Sequence, residues 1–186
     1  MGDLRFLDLF CGCGGLALGF QDAGFKFVMG VDNDESSLLT LRDNFNGVIA
    51  GNYDLFNQDS IQNIKTDFGT NPDVIIGGPP CQGYSVMGDK STSDVRNLLF
   101  KSYARLVNDL NPKAFLFENV KGIKTMFNGR FLKEVMNSFS VLGYNVHYKV
   151  INSADFGVPQ NRLRVFIFAT RLDFNWEFPT GDDNNF

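Results

Sequence analysis

Apolar residues in this chain fall into short runs separated by polar and glycine-rich breaks, and two periodicities alternate. Residues 6–10 form a compact apolar run that leads straight into Gly12-Cys13-Gly14-Gly15. Residues 16–23 then read as a short helix stopped by Gly24. Residues 27–31 predict a second buried strand ending at Asp32. Beyond it Leu38, Leu41 and Phe45 recur at helical spacing, with Asn33 or Asp34 as the cap. Residues 74–76 predict a strand running into Gly77-Gly78-Pro79-Pro80. Leu99, Tyr103, Leu106 and Leu110 form a helical stripe that Asn111-Pro112 ends, and residues 114–117 are another buried strand. Phe131, Val135, Met136, Phe139 and Leu142 predict a further helix closed by Gly143. Residues 144–151 and 165–169 read as two later strands joined by a polar loop, and from Thr180 the chain is polar and expected to fray.

Strands alternating with helices predict an α/β domain with a doubly wound, mostly parallel sheet, the last two strands forming an antiparallel edge hairpin. Ligands of such sheets sit beyond the carboxyl ends of strands. Residues 8–15, Asp32, Asp59, residues 79–85, Glu118-Asn119 and the arginines after residue 160 all fall at or just after those ends. The chemistry is therefore expected along one edge.

Composition changes this picture little. The 186 residues suit one domain, and 44% hydrophobic with 20% charged residues is ordinary for a globular chain; most of the 20 phenylalanines are expected in the core. No apolar run is long enough to span a bilayer, and Asp3 and Asp8 interrupt any secretory signal, so a cytoplasmic protein without a membrane partner is expected. Cys11, Cys13 and Cys81 make no disulfide framework, and with His147 as the single histidine no metal is expected. Net charge is −4, but it is unevenly spread. Residues 1–89 hold 4 Lys/Arg against 12 Asp/Glu, while residues 90–186 hold 13 against 9. The basic half is suited to phosphates, although a mixed surface explains the numbers equally well.

Gly12-Cys13-Gly14-Gly15-Leu16-Ala17 follows a strand and opens a helix, and Asp32 lies twenty residues after Gly12. The glycines let a ligand approach the backbone, and the acid can accept bonds from ribose hydroxyls. NAD and S-adenosylmethionine both meet that description, so an oxidoreductase stays open at this point. The longer string Asp8-Leu9-Phe10-x-Gly12-x-Gly14-Gly15 resembles the first motif of the cytosine-C5 DNA methyltransferases. By that resemblance the loop, with Leu16, cradles the methionine part of S-adenosylmethionine and Phe10 packs on the adenine. Asp32 holds the ribose and Asn33 lies beside the adenine. Asp59, in Gln58-Asp59-Ser60-Ile61, matches the acid that bonds the adenine amino group, with Ser60 beside it.

Gly78-Pro79-Pro80-Cys81-Gln82-Gly83-Tyr84-Ser85 resembles the nucleophile motif of the same family nearly letter for letter. Cytosine C5 is a poor nucleophile, so methylating it requires covalent activation by a group that is soft and a good leaving group. Cysteine is both. The prolines stiffen the approach, and Pro80 is expected at the cofactor as well. Phe117-Glu118-Asn119-Val120 ends a buried strand; a Glu118 kept protonated by desolvation would donate to cytosine N3, and Asn119 would fix the loops. Gln160-Asn161-Arg162-Leu163-Arg164 matches the family's Q-x-R-x-R motif, implying that Arg164 donates to the base oxygen and steadies Glu118 or the cysteine loop, with Arg162 nearby or on a phosphate. Asp94-x-Arg96-x-x-Leu99-Phe100 matches another motif, with Leu99 against the cofactor and Arg96 holding the catalytic loop. Residues 87–94 suit a loop that closes on DNA.

The resemblance spans residues 4–179 and implies a Rossmann-like methyltransferase fold, with residues 1–179 as the catalytic and cofactor-binding domain and 180–186 as a polar tail. It implies transfer of a methyl group to C5 of a flipped-out cytosine in double-stranded DNA, with S-adenosylhomocysteine as product, in a bacterial restriction–modification system at the nucleoid. A target-recognition region and two later motifs of the family are not found in these residues, so a missing C-terminal part or a complementing subunit is expected as partner. Methylation of tRNA cytosine by the same motifs, and a non-catalytic regulatory subunit, are the alternatives.

Overall fold

A computed structural model describes residues 3–80 and 98–181. The chain alternates β1 (Arg5–Leu9), α1 (Gly15–Asp22), β2 (Lys26–Asp32), α2 (Glu35–Asn44), β3 (Ile49–Asn52), α3 (Asp59–Phe68), β4 (Val74–Gly77), α4 (Leu98–Leu110), β5 (Ala114–Val120), α5 (Arg130–Val141), β6 (Asn145–Asn152) and β7 (Leu163–Thr170). Two short 3-10 turns, Lys121–Lys124 and Met126–Gly129, link β5 to α5.

The seven strands lie in the order β3-β2-β1-β4-β5-β7-β6. The first five are parallel, and β7 runs antiparallel to both β5 and β6. The direction of winding reverses between β1 and β4, so their carboxyl ends flank the crevice where such sheets take ligands. The expected hairpin is present, with β7 inserted inside it against β5 and β6 left at the edge.

Leu7, Leu9, Ile75, Phe115, Phe117, Val165 and Ile167 point to the face covered by α3, α4 and α5. Phe6, Phe27, Val74 and Ile76 point to the other, where α1 and α2 supply Ala17, Leu38, Leu41 and Phe45. The helical stripe Leu99, Tyr103, Leu106 and Leu110 is buried along its whole length. Aromatic rings knit both layers: Phe6 stacks on Phe27 at 4.8 Å, and Tyr103, Phe115 and Phe139 meet edge-on or tilted. The expectation for phenylalanine is met only in part, since Phe56, Phe127, Phe156 and Phe174 stand exposed.

The stretch between residues 49 and 68 holds β3 and α3, which the apolar pattern had not marked. β3 is a four-residue edge strand with only Gly51 buried, so it carries no alternation. Asp59 is the first residue of α3.

Gly14 illustrates how tightly the first crossover is built. It caps α1 at φ +90°, and a Cβ there would lie 2.5 Å from Phe45 Cε2 and 2.7 Å from Leu41 Cδ1. Gly14→Ala is therefore expected to cost about 2–4 kcal/mol, from the left-handed backbone together with overpacking against α2. A urea titration of the variant against the parent chain reads this directly.

Candidate active site

The glycine loop is shaped by backbone that most residues avoid. Phe10 (φ 58°), Gly12 (φ +51°) and Gly14 (φ +90°) all turn left-handed between β1 and α1. Asp32, at the end of β2, holds this turn: its Oδ2 accepts from Gly12 N at 2.9 Å, and its Oδ1 accepts from Asn33 N and Asp34 N. Asp34 is the cap of α2, its carboxylate accepting from Ser37 N. Space opens at Gly12 and Gly15, where an added Cβ would meet nothing within 4 Å. No side chain caps α1, and Gly15 and Leu16 in its first turn line a cleft.

That cleft, ≈ 480 Å³, is walled by Asp8, Phe10, Cys11, Gly15 and Leu16 on one side and by Gly78, Glu118, Ser153, Arg162, Arg164 and Phe166 on the other. It thus runs from the glycine loop to the ends of β5 and β7. A narrower slot continues past Phe10, lined by Asp32, Asn33, Tyr53, Asp54, Leu55, Phe56, Pro80 and Leu99. Phe10 stands between the two spaces.

Asp8 is 1% exposed, and its Oδ2 is the buried side-chain oxygen or nitrogen left without a partner among the described residues. Burial, reinforced by the charge of Asp32, pushes its carboxyl up to about 8, against a lowering by the Ala17 backbone N–H. Buried polar atoms are almost always paired, so an unpaired oxygen in the wall of a cleft marks a place for a donor on a ligand. Cys11, behind the loop, has its thiol pushed far upward by burial and by Asp8 and Asp32, which leaves it inert.

Across the cleft, Glu118 Oε1 accepts from Arg164 Nε at 2.9 Å. The two lie diagonally on one face of the β5–β7 pair, where Glu118 is opposite Phe166 and Arg164 opposite Val120. Burial raises the Glu118 carboxyl above its ordinary value even though Arg164 and Arg162 pull it down. Desolvation wins because the carboxyl is pressed against backbone: a Cβ on Gly78 would lie 2.9 Å from Glu118 Oε2. Asn119, 6% exposed, turns the other way; its Nδ2 donates to the Pro79 carbonyl and its Oδ1 accepts from Val120 N. This ties the proline loop to β5. Arg162 is exposed, and its backbone is knitted to Asn152 and Ser153.

The structure therefore brings Asp8, Phe10, Gly15, Leu16, Glu118, Arg162 and Arg164 to one cleft, and Asp32, Asn33, Pro80 and Leu99 to the adjoining slot. Ser60 and Asp59 do not line either space: Ser60 is buried with its hydroxyl on the Asp54 carbonyl, and Asp59 opens α3. Asp54 and Leu55 line the slot. The signal for them is the short strand β3, whose carboxyl end delivers residues 53–56 to the same edge as Asp32. Ser153 and Phe166 reach the cleft through strand pairing alone and have no local signature. Cys81, Arg96 and the loop at 87–94 lie outside the described residues.

The C-5 cytosine-specific DNA methylase family matches residues 4–186. The Type II methyltransferase M.XorII of Xanthomonas oryzae pv. oryzae is 41% identical over 169 residues, which cover 89% of this chain and 40% of that protein. M.FnuDI of Fusobacterium nucleatum, also a Type II methyltransferase, is 39% identical over 180 residues, 95% of this chain and 50% of the relative. A prophage-encoded E. coli protein assigned as a DNA modification methyltransferase superposes with a TM-score of 0.78 at 34% identity, covering 93% of this chain and 49% of its own. The chain thus spans half or less of the length of these relatives. With the glycine loop, the acid–arginine pair and the seven-stranded sheet all in place over the matched span, the chain belongs to the C-5 cytosine-specific DNA methylase family.

Proposed function

We propose that this chain carries the S-adenosylmethionine site and the catalytic groups of a DNA cytosine-C5 methyltransferase. The observation that supports this most is a single cleft with Asp8 and the glycine loop at one end and the Arg164-paired Glu118 at the other. The residues present fit the cofactor. The unpaired Asp8 Oδ2 suits the ammonium of its methionine part, and the uncapped amides of α1 suit the carboxylate. Gly12, Gly14 and Leu16 shape that end. Phe10, Asn33, Asp54, Leu55, Pro80 and Leu99 suit the adenine, and Asp32 keeps acceptor capacity for the ribose. We place Asp54, rather than Asp59 or Ser60, beside the adenine. Held there, S-adenosylmethionine supplies the electrophilic methyl group that cytosine C5 accepts, leaving S-adenosylhomocysteine.

The chain's own groups prepare C5 for that acceptance. The thiolate of Cys81 adds to C6 of a flipped-out cytosine, placing electron density on C5. Glu118, protonated, donates to N3 and neutralises the charge that builds on the ring. Arg164 positions Glu118 and donates to the base oxygen, with Arg162 beside it. Asn119 holds the Pro79 carbonyl two residues before the nucleophile, so the sulfur starts from an anchored strand end. Loss of the C5 proton and expulsion of the thiolate restore the ring.

Target recognition is assigned to a part beyond these residues, on the same chain or a complementing subunit, because the relatives are about twice as long. The relatives' description as Type II methyltransferases supports a modification role beside a restriction enzyme, which we propose is exercised in the bacterial cytoplasm at the nucleoid. Among the described residues no helix is long and apolar enough to cross a membrane.

Duplex DNA carrying 5-fluorocytosine tests the reading, since fluorine at C5 cannot leave as a proton does. With S-adenosylmethionine and a recognition part supplied, a covalent protein–DNA adduct is expected that disappears in Cys81→Ala. An adduct that persists in Cys81→Ala overturns the nucleophile. An adduct formed on fluorinated tRNA but on no duplex transfers the chemistry to RNA.

A further inference from the structure

The stretch that follows Glu118 and Asn119 carries charge of one sign. Lys121, Lys124, Arg130 and Lys133 occur between Asn119 and Lys133 with no Asp or Glu among them, in a chain whose net charge is −4. All four are exposed. The ion pairs among the described residues join Arg42 to Glu35, Lys113 to Asp73 and Arg164 to Glu118, so none of them neutralises this stretch.

Three features distinguish it from an ordinary solvated face. The first is its place. Lys121 is the third residue after Glu118, so its Cα lies within about 10 Å of that acid's Cα, at the carboxyl edge where β5 ends. The second is rigidity. Ile123 is fully buried in the core and Met126 packs against it, while Thr125 N and Oγ1 both donate to the Gly122 carbonyl. In a 3-10 turn residues three apart eclipse, which sets Lys121 and Lys124 on one side. The third is strain. Phe127 (φ 46°), Asn128 (φ 57°) and Gly129 (φ +80°) are left-handed in succession, a conformation a phenylalanine rarely adopts, and Phe127 remains 41% exposed. Backbone of this sort persists where the surrounding structure holds it, and it clusters at functional sites.

We infer that Lys121, Lys124 and Arg130 form a phosphate-binding ledge for the DNA backbone flanking the target cytosine. The inference rests on the proposed function, because a cytosine at Glu118 brings its own flanking phosphates to this edge. The ledge neutralises phosphates and reads no sequence. The ledge gives a chain of net charge −4 a local run of cations: the excess of Asp and Glu falls in residues 1–89, and this stretch belongs to the basic second half.

The test is the salt dependence of duplex DNA binding by the 186-residue chain, comparing the parent with Lys121→Ala/Lys124→Ala/Arg130→Ala. Each neutralised phosphate contributes about 0.9 to the slope of log K against log salt. The triple variant is expected to lose about 2–3 from that slope while keeping its thermal midpoint and its S-adenosylmethionine isotherm. Lys121→Arg/Lys124→Arg/Arg130→Lys should retain the slope. Lys26→Ala/Lys65→Ala, which removes charge near the amino ends of strands, should leave it unchanged. An unchanged slope in a folded triple variant overturns the ledge, as does equal loss in the Lys26/Lys65 variant or a parent chain that binds no duplex at low salt. A slope lost on tRNA but not on duplex gives the ledge to RNA and overturns it for DNA. The 5-fluorocytosine adduct separates the two failures: if it forms while the slope is unmoved, the ledge alone is wrong, and if it never forms, the reading beneath it is.

Discussion

Glu118→Gln is expected to slow methyl transfer by about 10²–10⁴-fold, with duplex and S-adenosylmethionine affinity changed little. Glutamine keeps the shape that fits between Gly78 and Arg164, and its amide can still donate a hydrogen bond, but it cannot deliver a proton to N3. The loss should therefore appear in single-turnover rate rather than in binding. The pH profile sharpens the point. Burial raises the Glu118 carboxyl and so favours the protonated form that the proposed mechanism uses; activity should fall on the alkaline side as that form is lost. Arg162 pulls the carboxyl down, so Arg162→Gln should let it rise further and move that limb to higher pH. A limb that stays put in Arg162→Gln, or a Glu118→Gln enzyme of nearly full rate, would remove Glu118 from the acid role.

Asp8→Asn is expected to have opposite effects on stability and on cofactor binding. In the parent chain the buried carboxyl holds its proton up to about pH 8, whereas in the unfolded chain it loses it near pH 4. Between those values the folded state binds the extra proton, so stability falls as pH rises from about 4 to about 8 and levels off beyond. At 1.36 kcal/mol per pKa unit this amounts to on the order of 3–4 kcal/mol by pH 7. Asparagine stays neutral at every pH. The variant should match the parent at pH 4 and exceed it increasingly towards pH 8, as urea midpoints at both pH values will show. Parallel midpoints for the two proteins would mean that Asp8 is already ionised in the folded chain.

Cofactor affinity should move the other way. An asparagine in place of the unpaired Oδ2 removes a charge-assisted acceptor worth about 1.5–3 kcal/mol, or roughly 10–100-fold in S-adenosylmethionine affinity. Binding a cation beside Asp8 also favours the ionised form, so parent affinity should increase with pH through about 8 and the variant's should not. Glu118, Arg162 and Arg164 border the same cleft, Asp32 acts on Asp8 through its charge, and all four are retained in both proteins, so the difference between the two titrations isolates Asp8. This is the usual conflict between stability and function: a buried carboxyl that destabilises the fold near neutral pH is kept where a ligand can use it.

The local chemistry was legible because this architecture gathers it at strand ends, where a few contiguous residues suffice. Asp8 through Gly15 and Pro79 through Ser85 are strings whose meaning depends on their neighbours in the chain, and Asp32 follows from a strand and a count of residues. The sheet and the helical stripes over residues 99–110 and 131–142 followed from periodicity, since each buries one face against a layer that any doubly wound fold must supply. Pairing and depth were decided elsewhere. Glu118 and Arg164 lie far apart in the chain and meet because β7 enters antiparallel between β5 and β6, a register set by long-range packing. The short edge strand β3 had too few buried positions to show a period, so the place of Asp54 and Leu55 in the slot beside Asp32 was not legible. The order of residues alone carried the chemical groups and, among the described residues, the sheet edge along which they lie. Which of them share a cleft, which carboxyls burial pushes upward, and which lysines stand exposed beside the site followed from the tertiary structure. Those properties depend on distance and on exclusion of water, and both are set by residues remote in the chain.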